Sequence, residues 1–161
     1  MPTAETLEWK KEAIRSLEWT STTDDPLSWG EVCAERFSNQ QLEAEIEQAK
    51  LILNLGDDWD GEGSASYSEA TLERAIAFLN MHMERLWKSY GIPSPIPSIG
   101  PGPDGSIDVH WKQPTWELLV NIPGDANEMA AFYGDNYGTQ KIKGSLNPEC
   151  FNLGIAEWLA N

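Results

Sequence analysis

The sequence predicts an α+β fold in which helices cover one face of an antiparallel sheet. Apolar residues recur at three- and four-residue steps through roughly residues 39–55 and 68–90, a spacing typical of amphipathic helices. Beyond residue 106 the period changes to two, which is typical of half-buried strands. Because helices come first and strands follow, we expect a three- or four-stranded meander with helices on one face.

The chain divides into two predicted parts, an N-terminal helical arm over residues 1–37 and an α+β domain over residues 38–161. Residues 4–19 contain good helix formers and neither Gly nor Pro, and the stretch that follows is rich in Ser, Thr and Asp. The arm carries Trp9, Trp19 and Trp29 at ten-residue intervals. Ten residues turn a helix through about 1000°, so the three indoles do not form one stripe.

These three tryptophans are the candidate partner-binding residues, because an indole offers a large contact area for few rotamers. The alternative is that they fold back and pack against their own domain.

Two longer helices are predicted inside the domain. The first carries its apolar positions on one side, with the glutamates largely elsewhere. The second has Ser68 as its candidate N-cap and Glu69 in its first turn. The apolar positions of the two helices are Leu42, Ile46, Ala49, Ile52 and Leu53, and Leu72, Ala75, Ile76, Leu79, Met83 and Leu86.

The segment at residues 91–105 contains five prolines and four glycines, so we predict a rigid connector without helix or strand. Two strands follow, a third is predicted near residues 129–133, and a fourth around residues 139–144. A short C-terminal helix closes the chain despite Gly154. The core positions expected in the first two strands and in this helix are Ile107, Val109, Trp111, Trp116, Leu118, Val120, Ile122, Phe151, Ile155, Trp158 and Leu159.

The charge of the chain excludes some partners. The sequence has 26 acidic and 11 basic residues, a formal charge of −15, and the acid is spread along the chain. Direct binding to nucleic acid or to an anionic membrane needs clustered lysines and arginines, which the sequence lacks. A basic protein partner fits the charge better, although a high net charge also serves simply to keep a protein soluble.

Cysteine usage and hydropathy indicate a cytoplasmic protein. Cys33 and Cys150 lie far apart and have no C-x-x-C spacing, so neither a disulfide framework nor a zinc site is indicated. We expect both to be small buried side chains. No apolar run approaches the length of a membrane span.

One segment resembles a calcium loop in its spacing. A twelve-residue loop places oxygen ligands at positions 1, 3, 5 and 12 and a glycine at position 6. Residues 58–69 supply these as Asp58, Asp60, Glu62, Glu69 and Gly63. Three features count against calcium binding: the Glu at position 5 is long, Ala65 occupies the usually aliphatic position 8, and a second loop is lacking. The favoured interpretation is a tight acidic loop whose glycines permit unusual dihedrals and whose Trp59 packs inward.

The sequence contains no catalytic signature. Asp58 and Asp60 are a carboxylate pair, but solvated carboxylates need burial or a partner to become useful acids or bases. His82 and His110 are the only histidines, and no hydrolase, metalloprotease, phosphate-loop or dinucleotide motif accompanies them. We expect His82 to serve helix packing, and His110 to be exposed or paired with a neighbouring strand.

The stretch from about residue 55 to 123 resembles a pattern of small uncharacterised bacterial proteins. The residues that carry it are DDWDGEGSASYSEATLERAIAFL, PSIGPGPDGSIDVHW and TWELLVNI. The shared features are a W-D-G-x-G loop, a helix, a Pro-rich link to P-D-G, and a strand that ends in Trp. The resemblance implies a bacterial or phage source and a helix-then-sheet layout, and it carries over no catalytic residue and no activity.

Together these features predict a non-enzymatic, acidic protein-binding module without a cofactor. An antitoxin, immunity protein, inhibitor of a nucleic-acid enzyme, or accessory subunit of a bacterial or phage defence complex would each fit a basic partner. The alternatives are a calcium-binding or calcium-stabilised domain through the 58–69 loop, and a small hydrolase built around one of the histidines with carboxylates.

Overall fold

A computed structural model describes residues 39–160 of the chain. Residues 39–49 form helix α1, which tightens into a 3₁₀ turn over Lys50–Asn54. The remaining helices and strands are α2 (Glu69–Tyr90), β1 (Ser98–Pro101), β2 (Ile107–Lys112), β3 (Glu117–Ile122), β4 (Ala130–Asp135), β5 (Lys141–Leu146) and α3 (Leu153–Leu159). The predicted N-terminal arm lies outside the described residues.

The five strands form one antiparallel meander in the order β1-β2-β3-β4-β5. The α+β class, the antiparallel sheet and the coverage of one face by helices are therefore confirmed. Helix α2 packs on β2 and β3 and against α3. The register sets Val109 opposite Val120 and Val120 opposite Phe132, so the apolar positions of neighbouring strands share the covered face.

Helix α2 begins and ends where its sequence signals lie. The Ser68 side chain accepts a hydrogen bond from the backbone N–H of Thr71 at 3.1 Å, and the Ser68 carbonyl accepts from the same N–H, so the N-cap residue satisfies this first-turn amide. At the other end Gly91 adopts φ +62°, and its N–H donates to the carbonyl of Trp87. This left-handed residue ends the helix at little steric cost.

Strand β1 was not expected, because it lies inside the Pro-rich segment that we predicted to be neither helix nor strand. Ile99 pairs with Val109 and Pro101 with Ile107. Proline is tolerated on an edge strand, where its missing N–H need not serve the ladder. The sheet therefore has five strands where the sequence predicted three or four.

Helix α1 covers the outer edge of β1. The Glu45 carboxylate accepts a hydrogen bond from the backbone N–H of Ile99 at 2.7 Å, so this outward-facing amide of the edge is satisfied. Edge strands need such protection because unpaired amides invite pairing with other chains.

Two tryptophans tie the connections to the core. Trp111 is fully buried on β2, and its indole N–H donates to the carbonyl of Pro95 at 2.9 Å, which fixes the Pro-rich segment against the sheet. Trp158 of α3 donates to the carbonyl of Glu117 at 3.2 Å. It packs where Gly134 leaves room, since a Cβ on Gly134 would lie 3.1 Å from the indole.

Candidate functional site: the acidic end of the sheet

Three connections meet at one end of the sheet. They are residues 57–66, here called the acidic loop, the turn at Pro103–Gly105, and residues 123–129 between β3 and β4. A Cβ on Gly105 would lie 3.1 Å from the carbonyl oxygen of Ser66, and one on Gly124 would lie 3.2 Å from the carbonyl oxygen of Gly105. These close approaches pack the three connections against one another, and we call this region the acidic end.

The acidic loop is closed by its own aspartates. The Asp58 carboxylate accepts from the N–H of Gly63 at 2.7 Å, and the backbone N–H of Asp58 donates to the carbonyl of Ser64 at 2.7 Å. Gly61 and Gly63 adopt φ values of +74° and +85°, as the sequence predicted for a tight loop. Asp58 itself has φ +57°, a left-handed conformation that Asp tolerates better than most residues.

Asp60 and Asp57 complete the closure. Asp60 accepts from the N–H of Glu62 at 3.0 Å and from the Ser64 hydroxyl, and Asp57 accepts from the N–H of Ser66 at 2.9 Å. The Ser64 hydroxyl, followed by the Glu62 amide, lowers the pKa of Asp60. The Ser66 amide lowers the pKa of Asp57 in the same way. These carboxylates therefore stay charged at neutral pH.

A polar layer beneath the turn anchors the acidic end to the strands. The buried Tyr67 hydroxyl donates to the carbonyl of Gly102 at 2.7 Å. Asn121 donates to the Ser106 hydroxyl and to the Asp108 carboxylate, each at 2.7 Å. Burial is the main cause that raises the pKa of Tyr67, so the phenol remains a donor.

Carboxylates dominate the exposed surface here. Arg74 is the one basic side chain that the described residues contribute, and its guanidinium donates to the carbonyls of Pro123 at 2.6 Å and Gly124 at 3.3 Å. It is thus held by the backbone of the β3–β4 connection. Eight exposed acidic residues belong to the three connections or begin α2, namely Asp57, Asp58, Asp60, Glu62, Glu69, Asp104, Asp125 and Glu128.

Two large apolar side chains are exposed among these acids. Trp59 is 40% exposed, with its ring centroid 6.2 Å from that of Tyr67, and Met129 is 56% exposed. The expectation that Trp59 packs inward was wrong, because closure of the loop by Asp58 and Asp60 leaves the indole partly exposed against Tyr67. Exposed Trp within a polar rim is typical of binding surfaces.

The calcium hypothesis concerns the same loop. Asp58 and Asp60 direct oxygens at loop amides, Glu62 is exposed, and Glu69 begins α2. Within residues 39–160, no group of three or more His, Cys, Asp or Glu side chains is arranged to hold a metal ion. The hydrogen bonds from the loop amides to Asp58 and Asp60 close the loop on itself. Calcium binding stays a prediction.

The uncovered face of the sheet differs in charge from the acidic end. The strand register places Lys112, Glu117, Asp135 and Lys141 in one row across this face. Lys141 lies 3.0 Å from Asp135, and this contact lowers the pKa of Asp135 and raises that of Lys141. On this face three lysines, Lys112, Lys141 and Lys143, accompany three carboxylates, Asp108, Glu117 and Asp135.

Neither histidine occupies a catalytic arrangement. His82 is fully buried, and both of its nitrogens are occupied, by the carbonyl of Phe78 at 2.9 Å and by the N–H of Asn152 at 3.0 Å. His110 lies 3.3 Å from the Glu117 carboxylate on the neighbouring strand, which is one of the two arrangements expected from the strand pattern. The two therefore serve packing and cross-strand pairing in this arrangement.

Sequence reasoning placed partner binding on Trp9, Trp19 and Trp29, which lie outside the described residues. It missed the exposure of Trp59 and the convergence of the turn and the β3–β4 connection with the acidic loop. Tryptophan between two aspartates in a Gly-rich loop was the available signal. Cys150 was expected to be buried but is exposed, since it lies in the turn that precedes α3.

Comparison with known proteins found no match to this chain. No family model matches the chain. No curated protein and no solved structure matches it either. None of the helices within residues 39–160 has the length and apolar character needed to cross a membrane.

Proposed function

We propose that this protein is a non-enzymatic binding module that engages a basic protein partner through its acidic end. The observation that carries the proposal is the set of eight exposed carboxylates at the acidic end, where Trp59 and Met129 are exposed as well. Carboxylates steer a basic partner and fix its orientation, while a desolvated indole supplies contact energy.

The fixed shape of the acidic loop supports this proposal. Asp57, Asp58 and Asp60 hold the loop through hydrogen bonds to its own backbone, and Tyr67 ties the loop to the turn. A surface that is ordered before binding loses less conformational entropy when a partner docks. The Trp59 side chain is therefore presented by a loop of defined geometry.

The charge favours protein over nucleic acid as the partner. Eight carboxylates with a single backbone-bound arginine repel phosphate, whereas a lysine- and arginine-rich protein is attracted. Proteins that handle nucleic acids carry such basic surfaces. An antitoxin, immunity protein, inhibitor or accessory subunit of a bacterial or phage defence complex is the class of function that fits, with Trp9 and Trp19 of the arm as further anchors.

The test is a capture experiment with charge-matched variants. The first variant combines Glu62→Gln, Asp104→Asn and Glu128→Gln, which remove three charges from the acidic end without touching the hydrogen bonds that close the loop. The control combines Glu43→Gln, Glu47→Gln and Glu84→Gln, which remove three exposed charges from α1 and from the C-terminal half of α2. Each tagged protein is used to capture partners from the native host in low and high salt, and the dissociation constant of the purified partner is then measured by calorimetry.

We expect the acidic-end variant to lose the partner and the control to retain it. High salt should weaken the native complex, because exposed charges are screened. Trp59→Ala should weaken binding by about 2 kcal/mol or more if the indole is a central anchor. Equal binding by the acidic-end variant and the control would contradict the assignment of the site.

A further inference from the structure

A second surface feature lies far along α2 from the acidic end. Helix α1 and the C-terminal half of α2 enclose an open groove of about 420 Å³ together with the segment after α2. Its apolar lining comes from Leu42, Met83, Trp87 and Pro93. Asn39, Asn80 and the ion-paired Glu84 and Lys88 make up most of its polar lining.

More apolar surface adjoins the groove. Tyr90 is 45% exposed and Ile92 is 41% exposed, and both belong to the stretch that connects Trp87 to Pro93. Apolar side chains gathered in a groove with a polar rim are typical of a docking surface.

The chain itself indicates the occupant. Asn39 lines the groove and is the first described residue, so the preceding segment is covalently attached to a residue of the lining. That segment contains Leu27, Trp29, Val32 and Phe37 within twelve residues of Asn39. Ten residues span up to about 35 Å when extended, so Trp29 can reach every part of the lining.

We propose that residues 27–37 dock in this groove and that Trp29 is their main anchor. A short tether gives a segment an effective concentration on the order of millimolar, which favours it over a separate partner of similar intrinsic affinity. Docking would cover Met83 and Trp87 and fix the direction in which the arm leaves the domain. Trp29 is then an intramolecular anchor, and Trp9 and Trp19 stay available to a partner.

Cysteine trapping in the full chain tests this proposal, because Cys33 lies inside the docking segment. In a Cys150→Ser background, a second cysteine is introduced in the groove as Asn80→Cys or Lys88→Cys. The matched control is Glu43→Cys, on an exposed position of α1 that does not line the groove. Residue 43 is closer to Cys33 along the chain than residues 80 and 88 are, so an undocked segment would form the control disulfide faster than the groove disulfides.

The rate of intramolecular disulfide formation is measured at low protein concentration under a mild oxidant. We expect one or both groove cysteines to react roughly tenfold faster than the control or more, as a raised effective concentration requires. Adding Trp29→Ala should remove this advantage. Equal rates at the groove and control positions would overturn the proposal, and so would a faster groove reaction that survives Trp29→Ala. Disulfides formed only between two chains would also overturn it, because they would show that a second copy fills the groove.

Discussion

The imidazole of His82 accepts a hydrogen bond from the backbone N–H of Asn152 at 3.0 Å, and this bond joins the middle of α2 to the start of α3. Its other nitrogen faces the carbonyl of Phe78 at 2.9 Å and must carry the proton to donate to it. The ring also stacks on Phe151, with centroids 5.1 Å apart. One neutral tautomer satisfies both contacts, and a second proton would remove the acceptor that Asn152 uses.

Protonation of His82 should therefore destabilise the fold. Burial is the main cause that lowers the pKa of His82 below its ordinary value of 6.5. Because the unfolded chain takes up the proton first, the free energy of unfolding should be highest above pH 6.5 and fall as pH drops from there to the lowered native pKa. The loss should be at most about 1.4 kcal/mol per pH unit.

Urea denaturation between about pH 7.5 and pH 5, a range that includes the ordinary histidine pKa of 6.5, measures this slope. His82→Gln should reduce the slope even where it lowers stability overall. His110→Gln removes the other histidine, at a half-buried position on the sheet, and should leave most of the slope in place. A slope that persists in His82→Gln and disappears in His110→Gln would refute this account.

Gly134 should be intolerant of a side chain. A Cβ at this position would lie 2.7 Å from Cγ1 of Ile142 and 3.1 Å from the Trp158 indole, so Gly134→Ala forces the β5 side chain or α3 to move. We expect a loss of about 1–3 kcal/mol in the free energy of unfolding.

Gly100→Ala is the matched control for Gly134→Ala, because a Cβ on that β1 residue would meet nothing within 4 Å. Thermal or urea denaturation compares the two variants. A Gly100→Ala variant as unstable as Gly134→Ala would show that backbone conformation, rather than crowding by Ile142 and Trp158, sets the cost.

Glu45 should contribute to stability through the edge of the sheet. Glu45→Ala leaves the part-buried N–H of Ile99 without its acceptor, and we expect a cost of about 1–2 kcal/mol. Glu43→Ala removes the same side chain from an exposed position of the same helix and should change stability little. Hydrogen exchange at the Ile99 amide gives a local readout, since this amide should exchange faster in Glu45→Ala alone.

The acidic loop should keep its structure without a metal ion. Its aspartates already accept hydrogen bonds from the amides of Gly63, Glu62 and Ser66, so we expect the same melting temperature in millimolar calcium and in a chelator. Asp60→Ala should lower the melting temperature in both solutions, because it removes the acceptor of Ser64 and Glu62. A rise in melting temperature in calcium that Asp58→Asn abolishes would instead establish the calcium-stabilised domain.

Local sequence signals predicted most of the elements. Ser68 begins α2 and Gly91 ends it, as the capping rules require. The alternation through Ile107, Val109 and Trp111 correctly gave β2 and the face of its buried side chains. Each of these signals depends on residues a few positions apart, which is why they could be read from the chain alone.

Strand β1 could not be predicted in this way. The Pro-rich segment lacks a two-residue apolar period, and Ile99 becomes part of a strand only because Val109 lies opposite and Glu45 satisfies its outward amide. The exposure of Trp59 likewise depended on hydrogen bonds that close the loop through Asp58 and Asp60. Both outcomes rest on partners that propensity does not specify.

The sequence by itself determined the α+β class, the order of the helices and strands apart from β1, and the net negative charge. Only the tertiary structure decided that residues 57–66, 103–105 and 123–129 meet at one end, and that His82 bonds to a residue seventy positions away. Periodicity depends on residues a few positions apart, and net charge is a sum over the whole chain. The meeting of distant segments depends instead on strand register and on the packing of side chains within one core.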